Sequence, residues 1–290
     1  MELQSQVEEL AERGIGLAVI SYDAVDVLTA FSQDHVMTFP MLSDLGSETI
    51  RRFGILNSVP EWALGPNSDD PAVAADVATY VSVVNPREFM IGIAFPGTFI
   101  LDTDGRVSSR YFEDFYIERN TVSSIIMRLG DGEAPVEATK ISTPQLEITT
   151  YPSDAVVAPG NRFSLALDVQ PGPGMHVYAP GAADYRVISL RIDPQPFVRI
   201  RSMEYPESAN YYFEPLDETV PVYEEPFKLI QEIVLVGSPR AQAAFREQEF
   251  LTLTGTIEYQ ACDDSICYTP SSVPVSWALA LEGLLRRQPR

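Results

Sequence analysis

The stretch EFLTLTGTIEYQACDDSICYTP, Glu249 to Pro270, reads as a strand that runs into the only two cysteines of a 290-residue chain. Leu251, Leu253, Ile257 and Tyr259 share one parity, while Thr252, Thr254, Thr256, Glu258 and Gln260 share the other. Successive side chains of a strand point to opposite faces, so this strand has one face for a core and one for water. With no bulge at Gly255, Cys262 falls on the polar parity, and its sulfur is expected to point away from the main core where a partner can reach it. The run VPVSWALAL then returns as a second strand, with Val273, Val275, Trp277, Leu279 and Leu281 alternating.

Working outward, the same period of two recurs in QLEITTY, NRFSLALDV, YRVISLRI and FKLIQEIVLV, separated by proline and glycine turns. That pattern predicts an antiparallel β-sandwich over residues 146–282. Cys262 and Cys267 flank a tight connection between two strands, where Cα atoms can approach the roughly 5.5 Å that a disulfide needs. As a staple, so short a loop contributes at most about 2 to 3 kcal/mol. As a metal clamp, two thiolates are too few ligands, and His35 and His176 lie far away in sequence, so no metal is expected. As a redox centre, the pair has Asp263 and Asp264 beside Cys262, which disfavour a thiolate there. Such a dithiol suits electron relay through a mixed disulfide with a better nucleophile on a partner.

The length accommodates two domains of roughly 130 to 150 residues. A content of 45% hydrophobic and 10% aromatic residues excludes disorder, and 41 acidic against 20 basic residues give a formal charge of -21. That charge repels phosphate backbones and anionic lipids, so nucleic acid is not an expected partner. Arg286, Arg287 and Arg290 form a short basic tail, 283–290, read as a solvated end. No apolar run reaches the ~18 residues of a membrane span, and the chain opens on a polar helical pattern without a signal-type segment.

In the first half, Leu3, Val7, Leu10 and Ala11 recur at helical spacing and Ile15 to Ser21 reads as a buried strand. A helix starting near Asp23 and running through Phe31, a short strand in TFPMLSD, and a helix capped by Ser47 and carrying Ile50 and Phe53 follow. Alternating strand and helix implies an α/β layer with parallel strands. GIAFPGTFILDTDGRVSSRYF predicts a hairpin, Thr98 to Leu101 with Arg106 to Phe112, and its DTDG is a turn rather than a calcium loop, for lack of further ligands. Asn120 is expected to cap a closing helix with Val122, Ile125, Ile126 and Leu129 on its apolar face. Residues 56–93 fit no simple element; Trp62, Tyr80 and Phe89 there either line a groove or, by preference, pack the insertion onto the domain. Residues 131–145, polar and without periodicity, are expected to be the linker.

The order of elements around FPGTFILDTDG resembles the thioredoxin fold of AhpC/TSA peroxiredoxin-like proteins over about residues 1–130. The resemblance implies that Pro96 follows a cis peptide bond and lies beside a substrate-binding site. In that family the reactive cysteine starts the first helix, after a first strand. Here Met1 begins that helix, and residues 1–261 hold no cysteine. The expectation is a piece of a longer product whose upstream part carries the strand, the cysteine and an export signal. Absence of the strand should leave ladder groups of its two neighbours unpaired.

GPGMHVYAPG, Gly172 to Gly181, with YQACDDSICYTP downstream resembles the DsbD N-terminal, disulfide-corrector family of immunoglobulin-like domains over about residues 146–282. The resemblance implies that Cys262 and Cys267 are the catalytic pair cycling between dithiol and disulfide. It makes Tyr211, Tyr212 and Phe213 of ANYYFEP candidates for an aromatic cap over that pair, grouped with Pro96 as substrate-binding residues. His176 and Tyr178 match the family pattern, the histidine being read as structural. The implied protein is an extracytoplasmic, periplasmic thiol-disulfide oxidoreductase module without cofactor, exchanging electrons with a thioredoxin-fold partner. The rival expectation is a docking protein with a degenerate thioredoxin-like half and a structural disulfide.

Overall fold

A computed structural model describes residues 2–65, 69–112, 118–130, 138–213 and 217–282. The basic tail and residues 131–137 of the expected linker lie outside the described residues. The chain divides into two compact units between residues 116 and 117, fourteen residues before the expected end of the first domain.

In the first unit, strands Val19–Ser21 and Met41–Ser43 pair in parallel and are connected by helix Val25–Asp34. The helix Glu48–Arg52 is not capped by Ser47, which sits in left-handed conformation at φ 59°. Asp44 takes that role, its carboxylate accepting from the N–H groups of Thr49 and Ile50 at 3.0 and 2.8 Å. Desolvation would raise the Asp44 pKa, but these bonds outweigh it and hold the carboxyl below the usual carboxylate range. Ser47 instead donates its hydroxyl to the Gly92 carbonyl at 2.7 Å, an approach that only glycine permits, because a Cβ there would lie 2.5 Å from the Ser47 oxygen.

Residues 56–93, expected to be irregular, form helices Val59–Leu64 and Pro71–Val83. Pro71 opens the second, and the Asp70 carboxylate accepts from Ala72 N–H at 2.9 Å, a start signal that weak amphipathicity obscured. Trp62 and Phe89 remain exposed, and the Tyr80 hydroxyl meets the Met90 sulfur at 3.7 Å. The hairpin Gly97–Leu101 with Val107–Phe112 closes on Asp102, whose carboxylate accepts from Asp104 and Arg106 N–H groups, as a turn does. The parallel pair and the hairpin are separate two-stranded sheets, and Ile20, Leu42 and Leu101 stay exposed.

The second unit is built on a β-sandwich. One sheet orders strands Val198–Glu204, Phe227–Leu235, Asn161–Pro171, Leu146–Pro152 and Thr139–Ser142. A second orders Ser189–Ile192, Phe250–Tyr259, Ser271–Leu281 and Val156–Val157. Phe163, Leu165, Leu167, Leu229 and Ile233 meet Leu251, Leu253, Ile257, Tyr259, Trp277 and Leu279 in one continuous core. The period-two reading of the strands is therefore the core itself. Trp277 is admitted because its indole N–H reaches the Thr150 hydroxyl at 3.0 Å. Register runs unbroken through Gly255, whose absent side chain makes room for the Arg191 carbonyl, 2.6 Å from where a Cβ would stand.

Two expected boundaries are corrected. Helix Val122–Arg128, expected to close the first domain, packs on the sandwich: Met127 joins Tyr151, Ala166 and Ile230, and the Ser124 and Ser164 hydroxyls bond at 2.7 Å. Its cap is Thr121 rather than Asn120, with Val122, Ser124, Ile126 and Met127 buried. Helical period shows that one face is apolar but not which sheet will cover it. The end of the expected linker, Thr139–Ser142, is an edge strand paired with Leu146–Pro152.

Candidate functional site: a two-sided disulfide

A third, small sheet orders Ala209–Phe213, Glu218–Tyr223, His176–Tyr178 and Ala261–Cys262. Cys262 lies opposite His176, and Ala261 lies opposite Val177. Alternation then divides the residues between two faces. Val177, Ala261 and Tyr223 point into the main core, whereas Cys262, Tyr178, Val220 and Val222 form a second cluster on the other face.

Cys262 thus points away from the main core, as its parity demands. It is nevertheless only 1% exposed, which corrects the expectation that a partner reaches it. The second cluster covers it, with Ala182 buried in that cluster and Tyr185, Val187 and Tyr211 packed against it. Cys267 is the exposed member of the pair. The two sulfurs are joined as a disulfide, with Cα atoms 4.1 Å apart.

The loop between them is organised by Asp263. Its carboxylate accepts from Ser265 and Ile266 N–H groups at 2.7 and 2.8 Å and from the Tyr268 hydroxyl at 3.0 Å. Those donors, the Ile266 N–H first, hold its carboxyl below the ordinary range, so it remains charged. The loop ends are tied by Asp263 N–H to the Ile266 carbonyl and by Tyr268 N–H to the Ala261 carbonyl.

The Tyr178 hydroxyl lies 2.9 Å from Cys262 Sγ and 3.3 Å from Cys267 Sγ. Disulfide sulfurs carry no hydrogen, so the phenol is the donor. Burial, then the neighbouring Tyr185 and the negative charge of Glu218, raise the Tyr178 pKa far above the ordinary phenol value, which keeps its proton on. Tyr185 stacks on Tyr178 at 4.0 Å between ring centroids and donates to Glu218 at 2.7 Å. Neither Tyr185 nor Glu218 stood out in the sequence, because both lie in segments with no motif and meet the cysteines only through long-range pairing.

The cap candidates separate by parity. Tyr211 pairs with Val220 and faces the cysteine cluster; its ring lies 4.4 Å from that of His176, and its hydroxyl donates to Asp264 at 2.9 Å. Phe213 shares the parity of Tyr211, whereas Tyr212 points the other way, 56% exposed, and donates to Asp217. Glu214 and Pro215 of the same segment lie outside the described residues. His176 is buried; desolvation lowers its basicity despite the opposing pull of Glu224, Asp264 and Asp263. Pro96 belongs to the first unit, where it precedes the hairpin half-buried, and its peptide bond is trans, since no cis peptide occurs among the described residues. No cluster of three metal-ligating side chains occurs among the described residues.

Residues 1–110 match the model of the AhpC/TSA family, and residues 148–276 match that of the thiol:disulfide interchange protein DsbD, N-terminal. The chain carries an AhpC/TSA region followed by a DsbD N-terminal region. Its fold is accordingly a thioredoxin-like α/β unit followed by an immunoglobulin-like β-sandwich. Among solved structures, the N-terminal periplasmic domain of ScsB from Proteus mirabilis is similar at 14% identity and a TM-score of 0.34, over 49% of each chain. The SrpA adhesin from Streptococcus sanguinis is similar at 12% identity and a TM-score of 0.27, over 51% of this chain and 62% of that one. The chain thus spans about half the length of the ScsB structure, 49%, and likenesses this distant carry no functional argument. No curated protein sequence matches the chain. The region matching the DsbD N-terminal model contains the Cys262–Cys267 disulfide, which supports a thiol-disulfide-related role.

Proposed function

We propose that the DsbD N-terminal region of this chain is a thiol-disulfide oxidoreductase module that relays two electrons through Cys262 and Cys267. The observation that carries the reading is the asymmetry of the pair: Cys267 is exposed, whereas Cys262 is buried with the Tyr178 hydroxyl 2.9 Å from its sulfur. A partner thiolate attacks Cys267 Sγ; the S–S bond breaks and its electron pair goes to Cys262 Sγ. The Tyr178 O–H stabilises that buried thiolate. A second thiol of the partner, as thiolate, then attacks the partner's own sulfur in the mixed disulfide and releases Cys267. Each cysteine sulfur takes up one proton, so two electrons and two protons balance.

The partner is a thioredoxin-fold redox protein and the setting is extracytoplasmic, both inferred from what the two matched families do. No helix among the described residues is long and apolar enough to cross a membrane. Tyr211 and Phe213 serve as the cap over the pair.

Equilibration in glutathione and dithiothreitol buffers, with mass-trapping of free thiols, tests the reading. Reversible titration between about -270 and -120 mV, the span of exchange proteins, supports relay. A bond still closed well below about -300 mV marks a structural staple and refutes it.

A further inference from the structure

The geometry points to a charge filter around this disulfide that selects thiol partners whose reactive cysteine is flanked by lysine or arginine; this deepens the relay reading and rests on it. Cys267, an exposed residue, follows Ile266, itself 53% exposed, so the contact point is a small apolar tip. Every charged side chain on the described segments that frame it is acidic. The loop 259–270 contributes Asp263 and Asp264, the strand Glu218–Tyr223 contributes Glu218, bonded to Tyr185, and is followed by Glu224, and the covering segment 176–185 contributes Asp184 beside Tyr185. None of these stretches contains lysine or arginine. Arg186, next along the covering segment, is engaged by Glu258 at 3.5 Å. Glu224, Asp263 and Asp264 act electrostatically on the His176 imidazole, which lies opposite Cys262, so their field reaches the pair.

The attacking group is itself an anion. A thiolate approaching Cys267 meets repulsion from this frame, and a cation carried beside that thiolate offsets it. The effect acts on the encounter and on attack, is strongest at low salt, and fades as the Debye length falls from about 10 Å at 0.1 M to about 3 Å at 1 M. The electron balance is that of ordinary exchange: the partner's thiolate bonds to Cys267, Cys262 leaves as thiolate, and two partner thiols end as one disulfide.

The test uses the full chain in its oxidised form with three small thiols of different charge: cysteamine, 2-mercaptoethanol and 3-mercaptopropionate. Reduction rates are followed by quenched mass-trapping and corrected for each thiol's thiolate fraction and basicity. The expected order is cysteamine fastest and mercaptopropionate slowest, spanning about tenfold at low ionic strength and contracting to about twofold near 1 M salt. Asp264→Asn, which keeps an oxygen acceptor for Tyr211, and Glu224→Gln should each narrow the span. Asp264→Glu should retain it, as should Glu247→Gln, in the connection before the strand Phe250–Tyr259, at the end away from Cys262. Equal corrected rates, or an unchanged span at high salt, overturn the charge filter while leaving relay intact. A disulfide that none of the three thiols opens overturns the relay reading itself.

Discussion

Replacing Tyr178 with phenylalanine removes one oxygen and little else. The ring keeps its stack on Tyr185 and its place among Val220, Val222 and Ala182, so packing is preserved and stability should change by less than about 1 kcal/mol. The chemical loss is larger. In the oxidised protein the phenol hydrogen-bonds a neutral sulfur, a weak contact. When Cys262 leaves as a thiolate, the same O–H at 2.9 Å stabilises a charge inside a cluster that admits almost no water. Hydrogen bonds to charged groups contribute about 1.5 to 3 kcal/mol, so Tyr178→Phe should slow reduction by dithiothreitol by about 10- to 100-fold at fixed pH. The equilibrium potential should move much less, because both end states at neutral pH carry neutral sulfur. Rapid-quench alkylation of the freed thiols gives the rate, and redox titration gives the potential. A rate within twofold of the parent, with the fold intact by circular dichroism, would refute the role assigned to Tyr178.

Two further outcomes follow from the same packing. His176 has a folded-state basicity below its ordinary value of 6.5, so as pH falls through 6.5 the unfolded chain takes up a proton that the folded chain refuses. Stability should therefore decline on acidification from pH 7, and His176→Gln should flatten that part of the profile in urea titrations; an unchanged slope would exclude burial of the imidazole as its cause. A fragment of residues 118–282 should fold cooperatively, whereas one starting at residue 138 loses the burial of Val122, Ile126 and Met127 and the bond between Ser124 and Ser164. That burial is worth roughly 4 to 8 kcal/mol as an upper estimate, so equal denaturant midpoints for the two fragments would show that the helix does not belong to the sandwich.

The sequence by itself determined the local alternations. Leu251, Leu253, Ile257 and Tyr259 had to share a face, Cys262 had to take the other, and the DTDG turn had to bend back on Asp102, because each depends on backbone geometry within a few residues. The helices Val25–Asp34, Glu48–Arg52 and Val122–Arg128 were legible, whereas Val59–Leu64 and Pro71–Val83 were not, and Thr121 and Asp44 cap where Asn120 and Ser47 were expected, since neighbouring polar side chains compete for the same N–H groups.

What only the tertiary structure decided is which surfaces are covered. Cys262 pointed away from the core yet became buried, because Tyr178, 84 residues distant, and the strand Glu218–Tyr223 build a second layer over it. The same layer left Cys267 exposed, the asymmetry on which the proposed relay rests. Helix Val122–Arg128 likewise carried its apolar stripe in the sequence, but the choice of the sandwich as its partner came from Tyr151, Ala166 and Ile230. Periodicity is written by nearest neighbours along the chain; coverage is written by pairings between residues far apart in it, and the chemistry of this disulfide depends on coverage.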